Sequence, residues 1–411
     1  MAEIINKRKI LNDPIYGFVS IPNEITFDII EHPHFQRLRR IAQLGLTNLV
    51  YPGANHTRFH HAIGAMHLMQ QAVGILRSKG VNITDEEEDA ARLGILLHDI
   101  GHGPFSHALE STIIGLNHEE LSSRFMNALN REYGGALDLA LKIFRNQYHK
   151  PFLHQLISSQ LDVDRLDYLR RDSFYTGVSE GVIPSLRLIH MMNVSRNGDL
   201  VIDAKGVYSV EKFLVARRLM YWQVYLHKTV LVAEFTLMNI LKRARELALS
   251  GEDVFASSSF RRFLYTQVNE KELNDDDSFL NAFAELDDID ILGSIKEWTK
   301  HSDICLSTLS RSLINRRLGK IEIRDTPFDP NYVDEKLREV SKRFKVSKHE
   351  AKYFVYENKI SNSAYQEKNR IMLLFKDGNV EDVATASDQL NIRALSETVV
   401  KHFLYYPKLS W

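Results

Sequence analysis

Cysteine is nearly missing from this chain of 411 residues. Cys305 stands alone, so no internal disulfide can form and a thiolate zinc site is excluded. An excess of either charge is missing too. With 52 basic and 53 acidic side chains the formal balance is −1, which argues against a general binder of nucleic acid or of membrane surfaces. No apolar run approaches the ~20 residues of a membrane span. Residues 1–9 hold no apolar core of the kind that a secretion signal needs. Internal repeats and low-complexity tracts are also lacking, and a cytoplasmic protein is the expectation. What is present is ordinary for a globular chain, 44% hydrophobic and 26% charged, with length for one large domain and a smaller one.

Apolar residues spaced i, i+3, i+4 predict helices around 25–44, 60–78, 85–99, 118–131, 135–146, 151–173 and 208–249. Between Met192 and Asp203, Asn197-Gly198 separates two short alternating runs and predicts a β-hairpin. The acidic stretch Asn274-Asp275-Asp276-Asp277-Ser278 reads as a surface turn. Past Lys320 the texture changes. Ile321-Glu322-Ile323 and the stretches 352–356 and 371–375 are strand-like, Asp377-Gly378 is a hairpin signal, and helices are expected at 332–344 and 388–404. The expected fold is mainly α, a helical core with a smaller α+β C-terminal region. Its expected divisions are 1–45 (an N-terminal segment and first helix), 46–319 and 320–411.

The densest chemistry lies in Leu96-Leu97-His98-Asp99-Ile100-Gly101-His102-Gly103-Pro104-Phe105-Ser106-His107. An adjacent His and Asp at a helix end can turn an imidazole nitrogen and a carboxylate oxygen toward one cation. Gly101, Gly103 and Pro104 then break the helix, which lets His102 and His107 turn into the same pocket. Upstream, Asn55-His56-Thr57-Arg58-Phe59-His60-His61 opens a helix; downstream lies Asp162-Val163-Asp164-Arg165-Leu166-Asp167-Tyr168. His61, His98, Asp99 and Asp164 form a candidate metal set of mixed nitrogen and oxygen donors. That set suits Fe, Mn, Zn, Ni or Mg and leaves positions for water and a phosphate oxygen.

The order His, His-Asp, Asp resembles the HD phosphohydrolase superfamily, and the helical core is then an HD domain. Further motifs narrow the resemblance to deoxynucleoside triphosphate triphosphohydrolases, the vertebrate sterile-alpha-motif/HD-domain enzyme and its bacterial relatives. They are Asn12-Asp13-Pro14-Ile15-Tyr16-Gly17, His34-Phe35-Gln36-Arg37-Leu38-Arg39-Arg40 with Gln43-Leu44-Gly45, and Tyr51-Pro52-Gly53-Ala54. The Arg58 to His61, His98 to His107 and Asp162 to Asp172 segments complete the set in the family's order. No sterile-alpha-motif domain is expected before Asn12.

Arg58 lies one turn before His61 and is read as a phosphate-binding guanidinium beside the metal. His56 and His60 stay out of the metal set. Asp164, Tyr168 and Asp172 recur every four residues and share a helix face. The resemblance puts Tyr168 and Asp172 over the sugar, while Asp162 and Asp167 read as solvated charges. It puts Arg165 where relatives carry a phosphate-binding Lys, and aligns Arg217, Tyr225 and Lys228 with a substrate helix. Leu226 departs from the vertebrate enzyme's Gln near the base. Gln43 is assigned to the sugar 3′ edge, and Leu44 beside it to substrate binding. His107 and His118, the latter oriented by Glu119, are assigned to proton transfer and in-line positioning, with His102 close to the α-phosphate.

What the resemblance implies is a metal-dependent hydrolase giving deoxynucleoside and inorganic triphosphate, with Mg on the substrate's phosphates. It also implies a homo-oligomer, dimer or tetramer, activated by GTP or a dNTP at a subunit interface. Residues of matching type for that regulatory site are Lys9, Asn12, Glu31, Gln36, Arg39, Arg316 and Lys320, with Glu31 in place of an Asp. An alternative within the superfamily is a hydrolase of nucleoside monophosphates, cyclic nucleotides or guanosine tetraphosphate. No membrane or nucleic-acid partner is expected.

Overall fold

The computed structural model describes residues 9–105, 107–109, 112–113, 115–266, 277–362, 365, 370–387 and 398–408. The chain opens on a hairpin that the sequence reading did not foresee, β1 (Ile10–Asp13) against β2 (Gly17–Ser20). Asp13 closes its turn by accepting from the amides of Ile15 and Tyr16 at 2.8 and 3.0 Å, and Gly17 takes the left-handed φ of 74°. Helix α1 (Glu24–Glu31) follows, capped by Asn23. The continuous helix expected over 25–44 is broken because Pro33 forces His32 out of the helical region, to φ −63° and ψ 137°. Short turns at Pro33–Gln36, Arg37–Arg40 and Gly45–Leu49 take its place.

Helix α2 (Arg58–Ser78) is the spine of the molecule. Ala62, Ala65, Met66, Leu68, Met69, Ala72 and Val73 are all fully buried on it, because α3 (Asp85–Leu97) and other helices pack around it. A capping box of Thr84 and Glu87 starts α3, and Asn117 caps α4 (His118–Glu132). The segment 151–173 is two helices rather than one. Pro151–Ile157 ends early, and Asp162 caps α5 (Val163–Thr176), which Gly177 terminates at φ 74°.

The hairpin over 192–203 is present as β3 (Met192–Val194) and β4 (Leu200–Asp203). The expected 208–249 helix is α6 (Val207–Met220), a π-turn at Tyr221–Tyr225, and α7 (Lys228–Leu249). The two arms meet at 56°, and the His227 side chain caps the second. Two further helices, α8 (Asp288–Trp298) and α9 (Ile304–Ile314), close the helical part. Residues 274–276 of the expected acidic turn lie outside the described residues; Asp277 and Ser278 open a helix that runs to Glu285. Among the described residues no single helix is long and apolar enough to cross a membrane.

Past residue 320 come β5 (Lys320–Arg324), α10 (Pro330–Phe344), β6 (Tyr356–Asn362), β7 (Met372–Leu374), β8 (Val380–Asp382) and β9 (Val399–Tyr406). Asp377-Gly378 turns the β7–β8 hairpin as the sequence predicts. Two expectations are corrected. Residues 352–355 precede the strand, which starts at Tyr356. The helix expected at 388–404 is β9 from Val399 onward, where β-branched and aromatic residues favour the sheet; 388–397 lie outside the described residues. One sheet has the order β5-β9-β6; the other is β3-β4-β7-β8, with β4 and β7 parallel. The fold class is therefore mainly α with a small α+β part.

Candidate active site

Three helices deliver the four expected metal ligands to one point. His61 sits in the first turn of α2, His98 and Asp99 follow the end of α3, and Asp164 lies in the first turn of α5. Asp164 Oδ1 is 3.0 Å from His61 Nε2 and 3.4 Å from His98 Nε2. Asp99 Oδ1 is 3.4 Å from His98 Nε2, and its Oδ2 is 4.0 Å from His61 Nε2. Ligand atoms of His61, His98 and Asp99 lie within 4.8 Å of one another.

Both histidines are prepared for a cation. His61 Nδ1 lies 2.8 Å from Asp167 Oδ2, and His98 Nδ1 lies 2.6 Å from the Ile95 carbonyl. Each of those partners can only accept, so Nδ1 carries a proton and Nε2 is the atom that faces the cluster. Both Nε2 atoms are buried without a hydrogen-bond partner, which fits a divalent ion and is costly without one. The electrostatics agree. Burial alone would lower the His61 imidazole, yet Asp164 and Asp167 push it up to about 10. Burial likewise opposes the charge on Asp164, but His61 and His98 hold its carboxyl well below the usual range. The pocket attracts positive charge, as a resident cation requires.

Asp167 is a functional residue that the sequence reading took for a solvated charge. It is fully buried and is gripped by Arg171, with Nε to Oδ2 and Nη2 to Oδ1 both at 2.9 Å. Arg171 in turn donates to Asp13 at 2.8 Å, tying the first hairpin to the metal site. Burial opposes its charge, but Arg171 and His61 bring the Asp167 carboxyl down to about 2. Gly64, one turn beyond His61, makes room for this pair; a Cβ there would stand 2.1 Å from both Asp167 Oδ1 and Arg171 Nη2.

Arg58 reaches Asp99 Oδ2 at 2.6 Å, so it stands beside the cluster. His102 Nε2 is 3.4 Å from Asp99 Oδ1, and its ring stacks on His118 with centroids 3.9 Å apart. That stacking depends on Gly101, whose amide bonds Ser122 Oγ at 2.9 Å; a Cβ there would stand 2.4 Å from the His118 carbonyl. Glu119 is exposed on the first turn of α4. The side chain of His107 lies outside the described residues. His60 caps α2 by accepting from the Thr57 amide at 3.1 Å, in keeping with its exclusion from the metal set.

A cavity of about 410 Å³ adjoins the cluster through Arg58. Gln43, Leu44, Tyr168, Asp172 and Tyr225 line it, as expected of a substrate pocket, together with Leu226 and Glu234. Asp172 is held from two sides, by His56 Nε2 at 2.7 Å and by the Tyr225 hydroxyl at 2.7 Å. His56, set aside in the sequence reading, is buried and stacks on Tyr175 at 4.4 Å. Burial and then Asp172 push the Tyr225 phenol well above its ordinary range, so it stays a donor. Of the remaining candidates, Arg165 pairs with Asp162, Arg217 is buried with its guanidinium 5.8 Å from the Tyr221 ring, and Lys228 is exposed at the start of α7.

The candidate regulatory residues fall into two groups within one chain. Lys9 lies over the Phe27 ring at 4.3 Å, Gln36 bonds both the Ile30 carbonyl and Arg39, and Arg39 covers Phe59 at 3.6 Å. Asn12 and Glu31 are exposed on the adjoining hairpin and helix. Arg316 instead donates to the Leu49 carbonyl at 2.7 Å, and Lys320 lies over the Tyr406 ring at 5.5 Å.

Comparison with known proteins agrees with this geometry. Residues 58–172 match the HD domain, and 183–264 match the HD associated region. The chain is 32% identical to the uncharacterized protein YwfO of Bacillus subtilis, over 98% of this chain and 93% of that protein. It is 32% identical to the deoxynucleoside triphosphate triphosphohydrolase SAMHD1 homolog of Dictyostelium discoideum over 57% of this chain, and spans 49% of that protein's length. A crystal structure of a phosphohydrolase from Bacteroides thetaiotaomicron is 49% identical and superposes with a TM-score of 0.94, covering 98% of this chain and 100% of that one.

Proposed function

The chain belongs to the HD-domain phosphohydrolases, and from that premise we propose that it hydrolyses deoxynucleoside triphosphates to deoxynucleoside and inorganic triphosphate. The observation that carries this reading is the cavity shared with the metal cluster through Arg58, with Gln43, Tyr168, Asp172 and Tyr225 on its walls. Its size suits a nucleoside, and its polar groups are few and fixed. His61, His98, Asp99 and Asp164 would hold a divalent ion, which when bound would acidify a water and offset phosphate charge. Its identity among Fe, Mn, Zn, Ni and Mg is open to metal analysis, with Mg accompanying the substrate's phosphates.

The chain's own groups do the rest. Arg58, Arg165, Arg217 and Lys228 balance the triphosphate, while Gln43, Leu44, Tyr168, Asp172 and Tyr225 fix the nucleoside. Attack of water on the α-phosphorus forms one P–O bond and breaks the bond to the 5′-oxygen. That oxygen is a poor leaving group and takes a proton from His107 or His118, with Glu119 on the His118 helix and His102 close to the α-phosphate. Incubation of metal-loaded protein with each dNTP, with the products separated, is expected to yield triphosphate and deoxynucleoside. Monophosphate plus pyrophosphate would overturn the mechanism. Inert dNTPs alongside turnover of monophosphates, cyclic nucleotides or guanosine tetraphosphate would move the assignment to another branch of the superfamily.

Tyr225→Phe leaves Asp172 with His56 alone. The KM for nucleotide is expected to rise roughly 10-fold, the worth of one hydrogen bond to a charged group, with kcat little changed. Steady-state kinetics check the split.

The two groups of regulatory residues fit a homo-oligomer in which Lys9, Asn12, Glu31, Gln36 and Arg39 of one subunit face Arg316 and Lys320 of another across a bound GTP or dNTP. Sigmoidal rates and nucleotide-dependent assembly support that arrangement; hyperbolic rates with unchanged assembly count against it.

A further inference from the structure

Outside the ligands and the cavity-lining groups, one half-buried carboxylate bonds two of the segments that line the site. Asp288, the first residue of α8, does not serve its own helix, which Asp287 caps. Its Oδ2 accepts from the Ala42 amide at 2.8 Å and its Oδ1 from the Phe105 amide at 3.2 Å. Ala42 immediately precedes Gln43 and Leu44 on one wall of the cavity. Phe105, at the end of the His-Asp loop, lines the same cavity.

Phe105 has φ 49°, in the left-handed region that costs a non-glycine residue free energy, so its backbone needs an outside hold. The surroundings reinforce the contact. Arg37 is fully buried and donates to the Ile100 carbonyl at 2.6 Å and the Leu286 carbonyl at 3.4 Å, binding the same loop to the same segment. Arg40 pairs with Asp287 beside it. Burial pushes the Asp288 carboxyl up to about 6, so the fold keeps this acid in place against its desolvation.

We propose that Asp288 is a positioning residue, a single carboxylate that locks the Gln43–Leu44 wall to the Phe105 corner and sets the width of the active-site cavity. The proposal rests on the phosphohydrolase reading of that cavity for its kinetic consequence, though not for its structural one.

The test compares Asp288→Asn and Asp288→Ala with Glu87→Gln. Glu87 is a buried carboxylate at the far end of α3 that bonds Tyr148 and Lys150, each at 2.7 Å. Expected for Asp288→Asn is exchange of the Ala42 and Phe105 amides faster by about 10-fold or more. Mn²⁺ affinity should stay near wild type, because none of the four ligands bonds Asp288, and kcat/KM should fall about 10²-fold. Glu87→Gln is expected to lower the melting temperature without the kinetic loss. Asp288→Ala should be worse than Asp288→Asn, which keeps one acceptor; if the alanine variant does not fold, the asparagine variant carries the test. Wild-type exchange and kinetics in Asp288→Asn would overturn the proposal, as would an equal kinetic loss in Glu87→Gln. If the wild-type protein turns over no phosphoester, the functional reading fails by itself, and the two amides still decide the positioning role.

Discussion

Asp164→Ala is expected to lower phosphohydrolase turnover by at least ~10³-fold, about 4 kcal/mol of barrier, in a protein that still folds. The reason lies in one oxygen. Asp164 Oδ1 stands between His61 Nε2 and His98 Nε2, so its loss leaves Asp99 as the remaining carboxylate among the four ligands. The Asp164 side chain is 23% exposed at the start of α5, so its removal opens no sealed cavity and the melting temperature of the metal-free protein should change little. Metal content measured beside turnover separates the possibilities. Loss of both fits a metal ligand, whereas full turnover in the variant would remove Asp164 from the site. A metal-bearing scaffold without catalysis would show no turnover even in the wild type while retaining nucleotide binding in the variant.

Gly64→Ala is expected to cost about 3–5 kcal/mol of stability and to weaken metal binding about 10–100-fold. Helix propensity alone predicts the reverse, since alanine is favoured over glycine by about 1 kcal/mol in a helix interior. The collision decides the sign. An added methyl would meet Asp167 Oδ1 and Arg171 Nη2 at 2.1 Å, and neither can retreat, because Arg171 is fully buried and also bonded to Asp13. Displaced, Asp167 no longer orients His61 through Nδ1. Denaturant melts and metal titration check the two effects, with Asp167→Asn as the companion that weakens metal binding without the clash. A Gly64→Ala protein as stable as wild type, with undiminished metal affinity, would show that the pair has room to move.

The candidate metal cluster was legible in the sequence because ligand chemistry narrows the choice to a few residue types at helix ends. His61, His98, Asp99 and Asp164 needed only the expectation that three helices converge. Asp167 was not read correctly, although two local signals were available. It forms an i, i+4 pair with Arg171, and Gly64, a poor helix former, sits one turn beyond His61 inside a long helix. His56 was missed because its partner, Asp172, is far away in the chain. Asp288 left no local trace, since its partners are backbone amides that any residue could supply. Helix boundaries failed at Pro33 and at the π-turn over Tyr221–Tyr225, where apolar periodicity continues through a change of direction. The C-terminal strand was misread because its mixture of apolar and polar residues also satisfies a helical period.

The parallel pairing of β4 with β7 has a consequence for how the chain reaches its final form. Ile202 finds Leu373 only after the chain has been made through residue 373, so the hairpin inside the helical part waits with its β4 edge open during synthesis. Pairing across so long a stretch is slow, because closure entropy is lost before contacts compensate it. Until then that edge can recruit a strand from another nascent chain. A chain halted near residue 320 is therefore expected to be prone to aggregate.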